Sequence, residues 1–463
     1  MKSNCHAFIA GFTSPDHGIH QLITANRVLA QKVRNVFETA TVVHLSNPVT
    51  DNADFGRNMN RIDSRIAPLA VDLAQPLGPP PTPGTISDIP VIVSEVQTRQ
   101  DLNEFISLPW QIYKGDRNWA PPLWVEAQAF LDRRRHPFYL HGAATQFIAR
   151  REQAVVGRVL VSDDPNYNKA HATNVGCFGM FESLDDETIG DALLDASAEW
   201  LARRGRTELM GPIDYSTNYP CGLLIEGFDT PQRVLMNHNP PYYAKLLESW
   251  GLTKVKDLHG WWFDCSCPKM SRWASRAART SSRGKIEIRQ LTFKDFDAEV
   301  ARCMELYNQA WENNWGFVKM TEAEFRDLAK HLKQFAEPQL MLMAEVAGRP
   351  AGLAITIPDF NQATRPLNGR LTTFGLPLGL FRLWRNMRRI RAGRVLVLGV
   401  LPEFRGRGVT ELLILRTREI GQRLGYVGAE LGWTLEDNAL INRPIQKAGA
   451  VPYKRFRIYH SAT

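Results

Sequence analysis

Two stretches of the chain repeat one order of hydrophobic and polar positions and align without a gap. FIARREQAVVGRVLVSDDPN (147–166) lies over LMAEVAGRPAGLAITIPDFN (342–361). Each is an apolar run, a polar turn and a second apolar run, which predicts a β-hairpin. Each is followed by an apolar strand, an amphipathic helix, another strand, a short helix ending at Gly251 or Gly449, and an aromatic strand. The repeated order predicts a duplicated mixed α/β domain.

Helix-start signals and linkers outline the two copies. Thr98 with Asp101 begins a helix after the first strand, and Thr321-x-x-Glu324 has the spacing of a capping box. The proline-rich 77–85 and the basic, Arg/Ser-rich 268–284 read as linkers. The predicted segments are an extension at 1–90, a first domain at 91–267, a linker at 268–284 and a second domain at 285–463.

The second copy contains an insertion. The hairpins align at an offset of 195, but the helices from Leu193 and Leu412 align at 219, so about 24 residues are added between them. The insertion includes part of 371–394. On a helical wheel, one of its faces is apolar and the opposite face is basic. The apolar face has Leu380, Leu383, Trp384, Met387 and Ile390, and the basic face has Arg382, Arg385, Arg388 and Arg389. This pattern is typical of a helix on an anionic membrane, here the region Leu376–Arg394, and equally of a helix packed on its own domain with a solvated basic face.

Composition limits the classes of partner. Lys and Arg total 56 against 48 Asp and Glu, a net charge of +8 that suits anionic ligands. The six cysteines complete neither a zinc site nor a disulfide framework, so we expect a reducing compartment and no metal. No apolar run reaches about 18 residues, which argues against a spanning helix. We therefore expect a cytoplasmic protein, peripheral on the inner membrane face if the insertion binds lipid, and no nucleic-acid partner.

Arg405-Gly406-Arg407-Gly408 separates a buried-strand pattern, RVLVLGVL, from a helical pattern that begins at Val409. The N-terminus of a helix attracts anions, and glycines let a phosphate approach the backbone closely. The spacing matches neither the dinucleotide nor the Walker fingerprint. The aligned positions of the first copy are Asp186 and Glu187, whose carboxylates would repel a pyrophosphate. The pattern favours a phosphate site in the second copy alone, with a plain tight turn as the alternative.

This stretch resembles the acyl-CoA loop of the GNAT acyltransferase superfamily, Gln/Arg-x-x-Gly-x-Gly/Ala, with Thr410 departing at the last position. The resemblance covers roughly residues 90–463. It implies an α/β (α+β) fold of two tandem GNAT-like domains, each a mixed, mostly antiparallel sheet flanked by helices, with acyl-CoA as co-substrate. The implied acyl-CoA contacts are Val400, Leu401, Arg405, Gly406, Arg407, Gly408, Val409 and Thr410.

The resemblance also bears on catalysis. Asn438 matches the Asn that opens the short helix after the next strand, and a neighbouring splayed strand supplies a backbone N–H to the thioester carbonyl in this superfamily. Many members carry a thiolate-protonating tyrosine in that helix, where this chain has Ile445. A general acid must therefore come from elsewhere, or the thiolate leaves unassisted. The base candidates are Glu430, on the strand before Asn438, and Glu436 and Asp437 at the end of that strand. Asn438 and Glu312 are further catalytic candidates, and structural or capping roles are the alternatives.

Polar-aromatic clusters are candidates for the acceptor site. They lie in GPIDYSTNYPCG (211–222), AWENNWGF (310–317) and MNHNPPYYAKLL (236–247). The candidate residues are Tyr215, Asn218, Asn314, Trp315 and Tyr243. For each one the alternative is a satisfied turn or the edge of an aromatic core, but together they predict an inter-domain cleft.

The predicted activity is N-acyl transfer from an acyl thioester to a primary amine, favouring a lipid amine and a long-chain donor. The layout is similar to that of the GNAT-type bacterial ceramide synthases, which N-acylate a sphingoid base. Two alternatives stay open. One is short-chain acetylation of a small amine or amino acid, and the other is a non-catalytic acyl-CoA-binding module at a membrane.

Overall fold

A computed structural model describes residues 89–269, 286–292, 294–372 and 376–462. Nearly all of the predicted N-terminal extension and of the basic linker lies outside these residues. The described strands form one 13-stranded sheet that runs through both copies. We call the part up to residue 267 the first half and the part from residue 286 the second half.

The first half alternates strands and helices in the predicted order. Its strands are β1 (Ile92–Glu95), β2 (Ala143–Arg151), β3 (Ala154–Asp163), β4 (Val175–Ser183), β5 (Glu208–Gly211), β6 (Leu223–Glu226) and β7 (Thr253–Asp264). Its helices are α1 (Arg99–Ile112), α2 (Trp124–Phe130), α3 (Pro165–His171), α4 (Glu187–Ala202) and α5 (Tyr243–Ser249).

The second half repeats this order. Its strands are β8 (Ile286–Gln290), β9 (Met341–Val346), β10 (Arg349–Pro358), β11 (Ala392–Val400), β12 (Gly428–Leu435) and β13 (Val451–Ala462). Its helices are α6 (Phe296–Trp311), α7 (Glu322–Phe335), α8 (Asn361–Thr364), α9 (Leu378–Met387), α10 (Val409–Arg423) and α11 (Ala439–Ala448). Both predicted hairpins, β2–β3 and β9–β10, are confirmed.

Local signals explain where the helices begin and end. Thr98 and Thr321 each cap a helix reciprocally with the acidic residue three positions on, so the predicted helix start at Thr98 and the predicted capping box at Thr321 are confirmed. Gly449 ends α11 with φ of 108°, a left-handed conformation that suits glycine.

The two halves exchange their last strands. β7 of the first half lies between β12 and β13 of the second, and β13 pairs with β5 of the first half. In register, Trp262 lies opposite Glu430, and Tyr459 lies opposite Gly211. A shared core of side chains from both halves, including Met210, Phe456 and Leu435, packs beside these strands. Neither half therefore completes its sheet or its core alone.

The insertion is confirmed between β10 and β11, which are joined by 33 residues where β3 and β4 are joined by 11. Its helix α9 is amphipathic, but the domain covers only part of the apolar face. Ile390 is buried and Leu380 and Leu383 are half-buried, whereas Phe381 and Trp384 are 63% and 37% exposed. None of the helices in the described ranges is long and apolar enough to cross a bilayer.

Candidate active site

The loop between β11 and α10 is the strand-to-helix turn predicted from the sequence. A short 3₁₀ turn at Pro402–Phe404 leads into Gly406 and Gly408, whose φ angles are 70° and 89°. Space for a side chain is open at Gly406, so a ligand can approach the backbone there. Within the described residues, the N–H groups of Gly406, Arg407 and Gly408 make no hydrogen bond. Together with the N-terminus of α10 they form a group of unpaired donors, whose chemistry suits an anion.

The two arginines of this loop have different surroundings. The Arg405 guanidinium donates to the carbonyls of Val400 (3.1 Å) and Ala310 (2.8 Å), so it braces the loop against α6. Arg407 is exposed and lies 5.7 Å from the Phe404 ring centroid. Arg407 is thus the arginine whose charged group is available to a phosphate.

The first half has a helix cap at the equivalent place. Asp186 caps α4 through the Thr188 N–H at 2.9 Å and forms an ion pair with Arg151 at 2.7 Å. The first half thus presents a carboxylate where the second half presents free N–H groups.

Strands β11 and β12 form a fork. They pair in parallel only from Ala392–Val395 against Gly428–Leu431. Beyond this point, no hydrogen bond joins the described residues Leu396–Val400 to Gly432–Leu435. A bulge in β11 opposite Ile355 and Thr356 coincides with the divergence. This is the splayed strand that the resemblance implied.

The corresponding fork of the first half is filled by its own chain. The Ile213 N–H donates to the Phe178 carbonyl at 2.6 Å, and the Asp214 carboxylate accepts from the Met180 N–H at 2.8 Å. Burial raises the pKa of Asp214 to about 7. An internal carboxylate thus takes a backbone donor just beyond the divergence of β4 and β5.

Glu430 lies on β12, one residue before Leu431, the last residue of β12 that pairs with β11, and is completely buried. The Tyr453 hydroxyl on β13 donates to its Oε2, while its buried Oε1 has no partner. Burial raises the pKa of Glu430 to about 7, although Arg394 and the tyrosine act in the opposite direction. A buried carboxylate with one free oxygen and a pKa near neutrality suits a general base.

A segment of the first half, residues 227–234, covers this cluster. The Lys454 ammonium donates to the carbonyls of Gly227 (2.6 Å) and Thr230 (3.1 Å), and burial lowers its pKa to about 8. Arg233 forms an ion pair with buried Asp359 at 2.9 Å, and the Arg394 guanidinium donates to the Val234 carbonyl. Both halves therefore build the surroundings of Glu430.

Comparison with known proteins identifies the family. No protein-family model matches the chain. It is 34% identical to the bacterial ceramide synthase of Caulobacter vibrioides over 387 residues, which cover 82% of this chain and 100% of that protein. It is 33% identical to protein YghO of Escherichia coli over 372 residues, 80% of this chain and 94% of that protein. The chain belongs to the family of these two proteins.

One solved structure with a TM-score above 0.5 supports the fold. A GCN5-related glucosamine N-acetyltransferase region of a fungal multi-domain β-N-acetylglucosaminidase matches 81% of this chain and 38% of its own, at 15% identity and a TM-score of 0.51. A tandem GNAT protein from the clavulanic acid biosynthesis pathway matches 80% of this chain and 98% of its own, at 14% identity and a TM-score of 0.48. The chain is an N-acyltransferase with a tandem GNAT fold.

Two acceptor candidates of this acyltransferase belong to the core instead of a cleft. Tyr215 is fully buried, stacks on His136 and donates to the Phe130 carbonyl at 2.8 Å. Tyr243 is fully buried and donates to Glu182 at 2.8 Å. Their hydroxyls are used internally, so the expectation that they line an open cleft is corrected in favour of the aromatic-core alternative.

The other acceptor candidates lie where the halves meet. The Asn218 amide donates to the Val318 carbonyl at 3.2 Å and accepts from the Tyr307 hydroxyl at 3.3 Å. Trp315 is half-buried against the shared core, with the Lys256 ammonium 5.5 Å from its ring centroid. Asn314 forms a turn through its backbone, accepting from the Phe317 N–H.

The remaining catalytic candidates differ in their surroundings. Asn438 is the N-cap residue of α11, but its side chain makes no capping hydrogen bond, so capping does not explain it. Glu312 is exposed at the end of α6 and forms a 2.8 Å ion pair with Lys319, apart from the buried cluster. Ile445 is buried and lines an apolar pocket between α10 and α11, beside the fork. In the ranges that the structure covers, no group of three or more His, Cys, Asp or Glu side chains could hold a metal ion.

Several site residues were missed at the sequence level. Tyr453, Lys454, Arg394 and Arg233 were not selected. For Arg394 on β11 and Lys454 on β13, a charged residue inside an apolar strand was a usable signal. Their role as neighbours of Glu430 depends on strands that are distant in sequence.

Proposed function

We propose that this chain transfers a long-chain acyl group from acyl-CoA to the primary amine of a sphingoid base. The geometric observation that carries the proposal is the fork with Glu430 at its base, which has a free buried oxygen. The choice of a lipid amine is supported by the similarity to a ceramide synthase over that protein's whole length.

The proposed reaction forms an amide and releases a thiol. The amine arrives as an ammonium ion and must lose a proton before its nitrogen attacks the thioester carbonyl. Glu430 is the proposed acceptor of that proton through its free Oε1. The C–N bond then forms and the C–S bond breaks. The second proton that the nitrogen loses is taken up by the thiolate, which leaves as the CoA thiol, and Glu430 returns its own proton to water. The backbone N–H groups of the unpaired part of β11 are the proposed donors to the carbonyl oxygen.

The proposed phosphate site is the β11–α10 loop. The unpaired N–H groups of Gly406, Arg407 and Gly408 would hold the pyrophosphate together with the Arg407 side chain, while Arg405 fixes the loop. The thioester arm would follow the apolar pocket between α10 and α11 towards the fork. Val400, Leu401, Val409 and Thr410 flank this path. The proposed acceptor side is the junction near Asn218 and Trp315, and Asn438 is a further proposed polar contact.

The domain division also supports this arrangement. We propose the second domain, 285–463, as the acyl-CoA-binding part and the first, 91–267, as the acceptor side. The acidic cap at Asp186 and the filled fork around Asp214 support the absence of thioester binding in the first domain. The first domain contributes the segment 227–234, with Arg233 and Val234, that covers the surroundings of Glu430.

Helix α9 is the proposed contact with an anionic membrane surface. Phe381, Trp384 and Met387 expose apolar side chains, and Arg388 lies over the Trp384 ring at 3.9 Å. The remaining arginines of the helix and its end, Arg382, Arg385 and Arg389, are also exposed. An exposed tryptophan beside exposed arginines suits the lipid interface, where an enzyme would meet a lipid amine.

The test is an assay of purified protein with acetyl-CoA and long-chain acyl-CoAs against a sphingoid base and against small amines. Free thiol is followed by colorimetry and the amide by mass spectrometry. We expect thiol release and amide formation with the long-chain donor and the sphingoid base. Preference for acetyl-CoA with a small amine would reject the lipid proposal. Acyl-CoA binding without thiol release for any amine would identify a non-catalytic module.

A further inference from the structure

An apolar cavity lies between the second-half sheet and helices α6 and α7. Strands β9, β10 and β11 form its floor and the two helices form its roof, and its volume is about 60 Å³. Val397 and Leu353 belong to the floor. Cys303, Phe325 and Ala329 belong to the roof. The cavity is separate from the pocket between α10 and α11.

The cavity adjoins the fork. Val397 lines it, whereas the next residue, Leu398, lines the pocket between α10 and α11, so the two spaces meet β11 on opposite faces. Both residues lie beyond Val395, the last residue of β11 that pairs with β12. A thioester that comes from the α10 side and passes through the fork therefore has its acyl group on the face of α6 and α7.

The lining determines what the cavity can hold. Its walls are almost entirely hydrocarbon and thioether groups. The charged exception, Glu299, is already paired with Arg289 at 2.8 Å and Arg302 at 2.7 Å. Glu299 therefore offers no free charge to a polar ligand. The favourable contribution to the free energy of ligand binding comes from burying methylene groups.

We infer that this cavity receives the hydrocarbon chain of the acyl donor and selects its length. The inference rests on the proposed function, because it assumes that the thioester lies at the fork. Trp311, whose ring packs on Gly399 of β11, places the end of α6 beside the fork, and Tyr307 stacks on Trp311. From Tyr307 to Phe296, α6 extends about 16 Å. In this proposal the acyl chain of the donor enters near Tyr307 and runs towards Phe296.

The present volume implies movement of the helices. A cavity of about 150 Å³ binds benzene, so a cavity of about 60 Å³ holds only the beginning of an acyl chain. A longer acyl chain would separate α7 from the sheet as it enters the cavity. Met320 and Met341, both in the lining, have flexible side chains that adapt to such a change.

The experiment measures calorimetric affinity of the full chain for a series of acyl-CoAs from acetyl to octadecanoyl, without an amine. Ala329→Phe fills the roof, and Phe325→Ala enlarges the cavity. Lys330→Phe adds the same ring to α7 at an exposed neighbouring position and is the matched control. We expect Ala329→Phe to lower the affinity ratio of long to short chains at least tenfold. Phe325→Ala should preserve or raise that ratio, and Lys330→Phe should leave it unchanged.

The outcomes separate the two proposals. Unchanged acetyl-CoA affinity shows that a variant has kept its fold and its phosphate site. If Ala329→Phe then has the wild-type ratio of long to short chains, the cavity is not the acyl site. Absence of thiol release by the wild type with any amine would reject the proposed activity and leave the binding comparison valid. A ratio that falls equally in Lys330→Phe would also overturn the inference.

Discussion

The Tyr453 hydroxyl donates a hydrogen bond to the buried carboxylate of Glu430, across the intervening strand β7. The two residues are 23 positions apart. The bond leaves one carboxylate oxygen of Glu430 without a partner, beside the point where β11 and β12 diverge. This arrangement permits direct tests of the proposed chemistry.

Glu430→Gln should lower kcat about a hundredfold or more with little effect on acyl-CoA affinity. The amide keeps the shape of the side chain but cannot take a proton, and a general base contributes about 10²–10⁴-fold. Thiol release at saturating substrates and calorimetry measure the two quantities. Glu419→Gln, a surface residue of α10, is the control. A larger loss of kcat in Glu312→Gln than in Glu430→Gln would assign the role of general base to Glu312, at the end of α6.

The pH profile should report the same carboxylate. Burial raises the pKa of Glu430 to about 7, so activity should rise with pH through about 7 as the base ionises. The Tyr453 hydrogen bond lowers this pKa, and Tyr453→Phe should therefore shift the inflection to higher pH. Profiles of kcat/KM for both proteins provide the measurement. An inflection that stays in place in the variant would argue that the tyrosine does not contact the base.

Stability should change with pH for the same reason. The pKa of Glu430 is about 7 in the folded protein, above its ordinary value near 4. Protonated Glu430 therefore contributes to the free energy of unfolding. This contribution is fully present below about pH 4 and is lost as the pH rises through 7. Between pH 5 and pH 8 the wild type should lose up to about 3 kcal/mol more than Glu430→Gln, at about 1.4 kcal/mol per pKa unit. Denaturant unfolding at both pH values measures this difference. Parallel losses in the two proteins would contradict the assignment.

Gly408→Asp should weaken acyl-CoA binding about a hundredfold or more. The substitution places a carboxylate next to the proposed pyrophosphate, and φ of 89° disfavours a side chain. Gly205→Asp makes the same change at another glycine of positive φ, 75°, in the first half, and controls for backbone strain. Calorimetry on folded protein is the measurement, and wild-type affinity in Gly408→Asp would place the phosphates elsewhere.

Membrane binding should depend on the exposed apolar residues of α9. Phe381→Ser with Trp384→Ser should reduce partitioning onto anionic liposomes at least tenfold, because each aromatic side chain contributes about 1.5–3 kcal/mol when buried. Leu140→Ser, at a residue that is 76% exposed in the first half, is the control. Co-sedimentation measures the partition. Equal binding of all three proteins would favour a helix that is simply solvated.

Local patterns were enough to predict much of the architecture. The hairpins, the helix start at Thr98, the capping box at Thr321 and the turn at Arg405–Gly408 follow from periodicity and residue chemistry within a few positions. The insertion was also recognisable, because one half could be compared with the other. These features depend on neighbours in the sequence.

Tertiary structure decided the composition of the site. The exchange of β7 and β13 places Tyr453 beside Glu430. The segment 227–234 of the first half places Arg233 beside Asp359. No short-range pattern in the sequence relates these residues. Tyr215 and Tyr243 were expected at a cleft but are core residues, since an aromatic side chain near turn formers has the same local pattern in either place. Strand pairing and burial depend on residues far apart in the chain, which local periodicity does not encode.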